Sequence, residues 1–198
     1  MEMISPREKF DQDGYLFVPR AITDLSKLYC PPPTDDQDQR LNGVQKYLKY
    51  DKIIFEPVES QVNGSFARYN YPLYRPAHYT IKKIIQKTLQ FELLPTYFYE
   101  RFYYLGQKLL RHTDRPACEI SVSLQISTNR KKSWPIWFQL PDKSEKSVNM
   151  ENGDMVIYKG CDIEHWRDPL QSKYNRIKKS INNLQKKALE KGTIRPSV

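Results

Sequence analysis

The stretch Cys118-Glu119-Ile120-Ser121-Val122-Ser123-Leu124-Gln125-Ile126-Ser127 decides how this chain folds. Positions 120, 122, 124 and 126 are apolar, and the positions between them are polar. Side chains alternate across a strand, so this period of two predicts a β-strand buried on one face. Working outward, Trp134-Pro135-Ile136-Trp137-Phe138-Gln139-Leu140 predicts another strand. Its proline belongs at the first residues or on an edge, because it cannot donate to a ladder. Asn152-Gly153 predicts a hairpin between Val148 and Met155-Val156-Ile157-Tyr158. Sequential strands joined by short polar turns favour an antiparallel sheet or sandwich over βαβ winding, which gives a mainly β, α+β class with flanking helices.

Two segments on the N-terminal side complete that frame. In Phe10-Asp11-Gln12-Asp13-Gly14-Tyr15-Leu16-Phe17-Val18 a helical turn gives way to a strand, with Gly14 at a position of positive φ. A helix is predicted from about Pro76 to Leu94, since Ile81, Ile84, Ile85, Thr88 and Leu89 form a stripe and Pro95 stops it. Cys30-Pro31-Pro32-Pro33 and the polar residues to Arg40 read as a surface loop, and Asn63-Gly64 as a turn.

The chain has 198 residues, enough for one domain, and its 25 aromatic residues exclude full disorder. No stretch approaches the roughly 18 apolar residues of a membrane span. Cys30, Cys118 and Cys161 have no ligand spacing and are too scattered to staple a secreted fold. Met1 to Arg7 lacks the apolar core of a secretion signal, so a reducing, cytoplasmic setting is expected. The net charge is +9, but eight basic residues against Glu190 give residues 171–198 a charge of +7. Only +2 remains for the first 170 residues. The division expected is therefore a near-neutral body, 1–170, and a basic segment, 171–198.

Of three histidines, His78 has no partner near it in sequence and reads as structural. His112-Thr113-Asp114 puts an imidazole and a carboxylate two positions apart, on one face if the segment is a strand. His165 follows 51 residues after Asp114, beyond the turn Lys159-Gly160-Cys161. Two imidazoles and a carboxylate are the ligands of a non-haem Fe(II) site with open positions. The same groups also serve zinc in a metal-dependent hydrolase, and spacing alone equally allows unrelated residues.

The flanking sequence adds a resemblance. Arg101-Phe102-Tyr103-Tyr104-Leu105-Gly106-Gln107-Lys108-Leu109-Leu110-Arg111-His112-Thr113-Asp114-Arg115-Pro116 resembles the approach to the metal motif of the iron- and 2-oxoglutarate-dependent oxygenases. Gly153-Asp154-Met155-Val156-Ile157-Tyr158-Lys159-Gly160-Cys161-Asp162-Ile163-Glu164-His165-Trp166-Arg167-Asp168-Pro169 is similar to the strand and turn carrying their distal histidine. The Asp13-Gly14-Tyr15 opening is similar to the phytanoyl-hydroxylase and prolyl-hydroxylase-like branches. The resemblance spans residues 95–170, and more loosely 8–94.

It implies a double-stranded β-helix (jelly roll, cupin-like) with core 95–170 and a lid from 1–94. The family's last strand is not evident in the tail. It also implies Fe(II) held by His112, Asp114 and His165, with 2-oxoglutarate and dioxygen as cosubstrates. The reaction implied is hydroxylation of a C–H group on a small molecule or peptide side chain, releasing succinate and carbon dioxide. A catalytically silent jelly-roll binding protein is the alternative. The cosubstrate's far carboxylate needs a cation: Arg167 lies inside the matching motif, and Arg176 is eleven residues past His165. Tyr103 either donates to that carboxylate or packs, and Gln125 is a candidate to orient a ligand. Arg115 faces substrate or pairs with Asp162 or Glu164. Trp134 and Trp137 line the pocket mouth or belong to the core, and Cys161 reads as a small buried group.

The basic tail carries Ile177, Ile181, Leu184 and Ala188 at helical spacing. Packing on the body, an oligomer contact, and non-specific attraction to nucleic acid or another anionic partner all fit this pattern.

Overall fold

The structure, a computed structural model, describes residues 4–28, 44–49, 52–57, 61–62, 65–131 and 133–171. The proline loop after Cys30, the Asn63-Gly64 turn, Arg176 and the whole basic helical tract lie outside the described residues, as would a last strand in the tail.

The chain opens with helix α1 (Pro6–Asp13) and strand β1 (Tyr15–Val18). Ser5 caps α1 reciprocally: its hydroxyl accepts from the Glu8 amide, and the Glu8 carboxylate accepts from the Ser5 amide. Gly14 ends the helix at φ 75°, and its amide returns to the Phe10 carbonyl. Strands β2 (Val44–Lys49), β3 (Lys52–Pro57) and β4 (Phe66–Tyr69) follow. Helix α2 (Arg75–Leu89) then leads to β5 (Tyr99–Phe102) and β6 (Leu109–His112). The second half contains β7 (Ile120–Leu124), β8 (Ile136–Gln139) and β9 (Glu145–Val148). Strands β10 (Met155–Lys159) and β11 (His165–Arg167) complete it.

These strands make three separate sheets, ordered β1-β10-β7, β6-β11-β8-β9 and β3-β2-β4-β5. The expected closed double-stranded β-helix is not what forms. Each sheet is open, with two edge strands that have one neighbour apiece among the described residues. Of the strands from β6 to β11, β7 and β10 join β1 in the first sheet while β6, β8, β9 and β11 make the second, and the two sheets pack face to face. Pairing is antiparallel throughout, except that β2 runs parallel to β4.

Strand β10 lies at the centre, and Met155, Val156 and Ile157 are fully buried. Its period of two divides the core. Val156 and Tyr158 join Ile136, Phe138, Val148, Met150 and Ile163 between the two facing sheets. Met155 and Ile157 pack with Phe10, Leu16, Ile85 and Leu89 beneath the helices. Each such aliphatic burial contributes about 1.5–3 kcal/mol. The apolar positions 120, 122 and 124 of β7 also face the helical layer, leaving Ser121 and Ser123 toward the second sheet.

Two boundaries differ from expectation. Helix α2 ends at Leu89, ahead of Pro95, because Gln90 takes a left-handed conformation (φ 57°) and donates to the Gln86 carbonyl. Asn152-Gly153 does not make a hairpin, since β9 pairs with β8 and β10 with β1 and β7. The Gly153 amide instead donates to Gln125 and its carbonyl accepts from Ile22, which ties loops around the first sheet. The hairpin is β8–β9, closed by Leu140 and Ser144 around Lys143 at φ 69°.

Candidate metal centre

Strands β6 and β11 pair so that His112 lies opposite His165. Their rings sit 4.3 Å apart, tilted by 51°. Each Nδ1 faces a backbone carbonyl: Leu110 at 2.7 Å for His112, and Ile163 at 3.1 Å for His165. A carbonyl only accepts, so both Nδ1 atoms carry the proton and both Nε2 lone pairs are free to ligate. Asp114, just past the end of β6, puts Oδ1 3.7 Å from His112 Nε2 and 3.6 Å from His165 Nε2. The ligand atoms of the three residues all lie within 4.8 Å of one another, close enough to hold a metal ion. Imidazole nitrogen and carboxylate oxygen, without thiolate, suit Fe(II) among other divalent ions.

Asp114 is held from the first sheet. Its amide donates to the Gly160 carbonyl at 2.8 Å, and its Oδ2 accepts from Ser121 Oγ at 2.5 Å. His165 is 2% exposed, packed between Tyr158 (4.6 Å between centroids) and Phe138 (6.4 Å). Burial outweighs the attraction of Asp114 and pushes its pKa down, keeping the imidazole neutral as ligation requires.

Two residues past His165, on the same strand face, Arg167 is 8% exposed. Its Nη1 donates to the Trp134 carbonyl at 2.5 Å, and its guanidinium lies 4.9 Å from the centre of the Trp134 ring. Among the described residues no carboxylate pairs with it, and burial pushes its pKa down. The phenols of Tyr103 and Tyr158 are its electrostatic neighbours. Tyr103 packs edge-on against Trp134 at 4.8 Å, and its oxygen accepts from Arg101 Nη1 at 3.0 Å. Among the described residues no acceptor takes its own proton. Arg167, Tyr103 and Trp134 thus stand together beyond His165, bridged to it by Tyr158. Burial, reinforced by the Asp114 charge, pushes the Tyr158 phenol well above its usual pKa.

Other candidates lie elsewhere. Gln125 falls after the last residue of β7 and donates to the Ser127 carbonyl, away from the cluster. Trp137 is on the outer face of its sheet, since Ile136 and Phe138 take the inner face. There it stacks on Trp166 (6.1 Å), over which Arg111 lies at 4.2 Å. Neither residue reaches the site. Glu164 pairs with Arg111, at 2.8 Å, and not with Arg115. Arg115 instead covers the Tyr97 ring at 4.4 Å and donates to Tyr69 Oη, making an aromatic flank beside Asp114. Cys161 is half-buried, and burial together with nearby carboxylates pushes its thiol pKa up, away from nucleophile behaviour. His78 packs on Phe98 at 5.0 Å, outside the cluster.

Sequence reasoning passed over Tyr158 as a strand residue and left Ser121 without a partner. The first had a signal, a phenol within the apolar run preceding the distal histidine. The second lay on the polar face of its strand, a face that sequence allows to look into a metal cavity, but its partner Asp114 just past β6 follows only from how the two sheets pack.

No protein-family model matches this chain, and no curated protein matches it. Among solved structures it is similar to a prolyl-4-hydroxylase of Pseudomonas putida. The TM-score is 0.56 at 15% sequence identity, covering 82% of this chain and 89% of that one. At this identity the likeness is one of fold. What the chain adds to that fold is a cluster of two imidazoles and a carboxylate able to hold a metal ion.

Proposed function

We propose that this chain is an Fe(II)- and 2-oxoglutarate-dependent dioxygenase that hydroxylates a C–H group of a small molecule or peptide side chain, releasing succinate and carbon dioxide. The observation that carries this reading is Asp114 Oδ1 facing two histidine Nε2 atoms whose Nδ1 protons are already committed to carbonyls. The hydroxylase-like fold supports it.

His112, Asp114 and His165 hold the iron. When bound, it supplies dioxygen activation and the oxidation of 2-oxoglutarate and substrate. The chain's own residues position and shield. Arg167 takes the far carboxylate of 2-oxoglutarate, an anion that suits a buried guanidinium with no acidic partner among the described residues. We prefer it to Arg176 for that reason. Tyr103 donates its phenol proton to the same carboxylate. Trp134, Tyr158 and Phe138 keep water from the cosubstrate side. Arg115, with Tyr69 and Tyr97, faces substrate.

The test is anaerobic addition of Fe(II) and 2-oxoglutarate to the purified chain. A weak visible charge-transfer band is expected, lost in His112→Ala and Asp114→Ala together with succinate release. A band that survives both substitutions rejects the site.

A further inference from the structure

Asp114 has two carboxylate oxygens, and they are not equivalent. Oδ1 faces both histidines at 3.6–3.7 Å. Oδ2 is engaged from the first sheet by Ser121 Oγ at 2.5 Å, a charge-assisted bond. The Ser121 hydroxyl has a second acceptor, the Cys118 carbonyl, but at 3.3 Å that is the weaker one. Gly160 closes the other side. A Cβ on Gly160 would lie 2.7 Å from Asp114 Oδ2, 2.5 Å from Ser121 Oγ and 2.3 Å from the Cys118 carbonyl oxygen. The carboxylate and its hydroxyl partner therefore occupy the space of a missing side chain, and the Gly160 carbonyl fixes the Asp114 amide at 2.8 Å.

We infer that Ser121 is a positioning residue for the metal centre: with Gly160 it holds Asp114 Oδ2 away from the metal, so that the carboxylate ligates through Oδ1 alone. This rests on the assignment of His112, Asp114 and His165 as metal ligands. Its consequence is a free coordination position. A carboxylate that swings to bidentate binding takes a position otherwise left to solvent or cosubstrate. Ser121 needs no contact with substrate or metal to act; it selects which oxygen is offered.

The experiment uses the full chain loaded with Mn(II) alone, with metal-bound waters counted by deuterium spin-echo modulation in heavy water. Ser121→Ala is expected to lose one bound water relative to wild type, and Ser121→Thr, which keeps the hydroxyl, to restore it. A merely structural serine would leave the count unchanged. If the alanine variant binds Mn(II) with the wild-type number of waters, the inference is overturned while the ligand assignment stands. If wild type binds no Mn(II), or binding survives Asp114→Ala, the ligand assignment itself fails and takes the inference with it.

Discussion

His112 and His165 face each other across one strand pair, yet only His165 is sealed in the core. The two ligands should therefore separate on substitution. His112→Ala is expected to abolish metal binding with little change in stability, because its side chain is partly open to solvent. His165→Ala is expected to abolish metal binding and also cost about 2–4 kcal/mol, since it empties the space between Tyr158 and Phe138. Urea unfolding of the metal-free variants distinguishes them. Equal midpoints would mean that His165 is not a packing element.

Arg167 should discriminate between charge and shape. Arg167→Gln is expected to weaken 2-oxoglutarate about 10- to 100-fold, the worth of a charged hydrogen bond. Arg167→Lys should recover only part of that loss, because a lysine lacks the planar fork and the stacking on Trp134. Titration of the charge-transfer band measures both. Unchanged affinity in the glutamine variant would move the anchor elsewhere, with Arg176 the next to replace.

The lowered pKa of His165 makes the stability of the metal-free chain depend on pH. In the unfolded chain this imidazole takes its proton near the ordinary value of about 6.5. In the folded chain it does so only at lower pH. Between the two values the unfolded state binds more protons, so stability falls as pH falls through that window. Denaturant midpoints from about pH 7.5 downward should show this decline, and His165→Gln should flatten it. An unaltered slope in the variant would assign the dependence to other groups.

Gly14→Ala tests the junction of helix and strand. The position has φ 75°, and a Cβ there would come within 2.5 Å of Ile163 Cδ1. Left-handed strain and the clash together predict a loss of about 1–3 kcal/mol, read as a lower thermal midpoint. Ile163 leads directly to the distal histidine, and its carbonyl orients that ring. The same variant should therefore weaken metal binding, although Gly14 lies far from Asp114 in sequence.

What could be read from sequence was what depends on local spacing. His112-Thr113-Asp114 and the alternation from Ile120 to Leu124 place residues on one face wherever the strand pairs. The pairing itself is non-local: Tyr15 lies opposite Tyr158, and no neighbouring residue announces it. For that reason the closed barrel and the Asn152-Gly153 hairpin were mistaken, although every strand named from Ile120 onward exists in some form. Trp137 shows the same limit. An odd or even position within β8 sends a side chain outward or inward, and which way is set by the partner sheet. Arg167 was named because it lies inside the motif that carries His165; its burial on the same strand face is what the pairing adds. That no carboxylate pairs with it among the described residues was not legible.

The triad also straddles two sheets. His112 and His165 belong to the paired strands of one, while the backbone and carboxylate of Asp114 are tied to Gly160 and Ser121 of the other. A metal ion at the centre would act as a rivet, adding to the packing and to the Asp114 hydrogen bonds that already join the two layers. Loading should then stabilise the whole body by mass action, about 2.7 kcal/mol at a hundredfold excess over Kd. Stripping the ion with a chelator should lower the thermal midpoint in wild type and leave Asp114→Ala unmoved. In this chain an open pair of sheets obtains its cross-link from the same three side chains that would carry the chemistry.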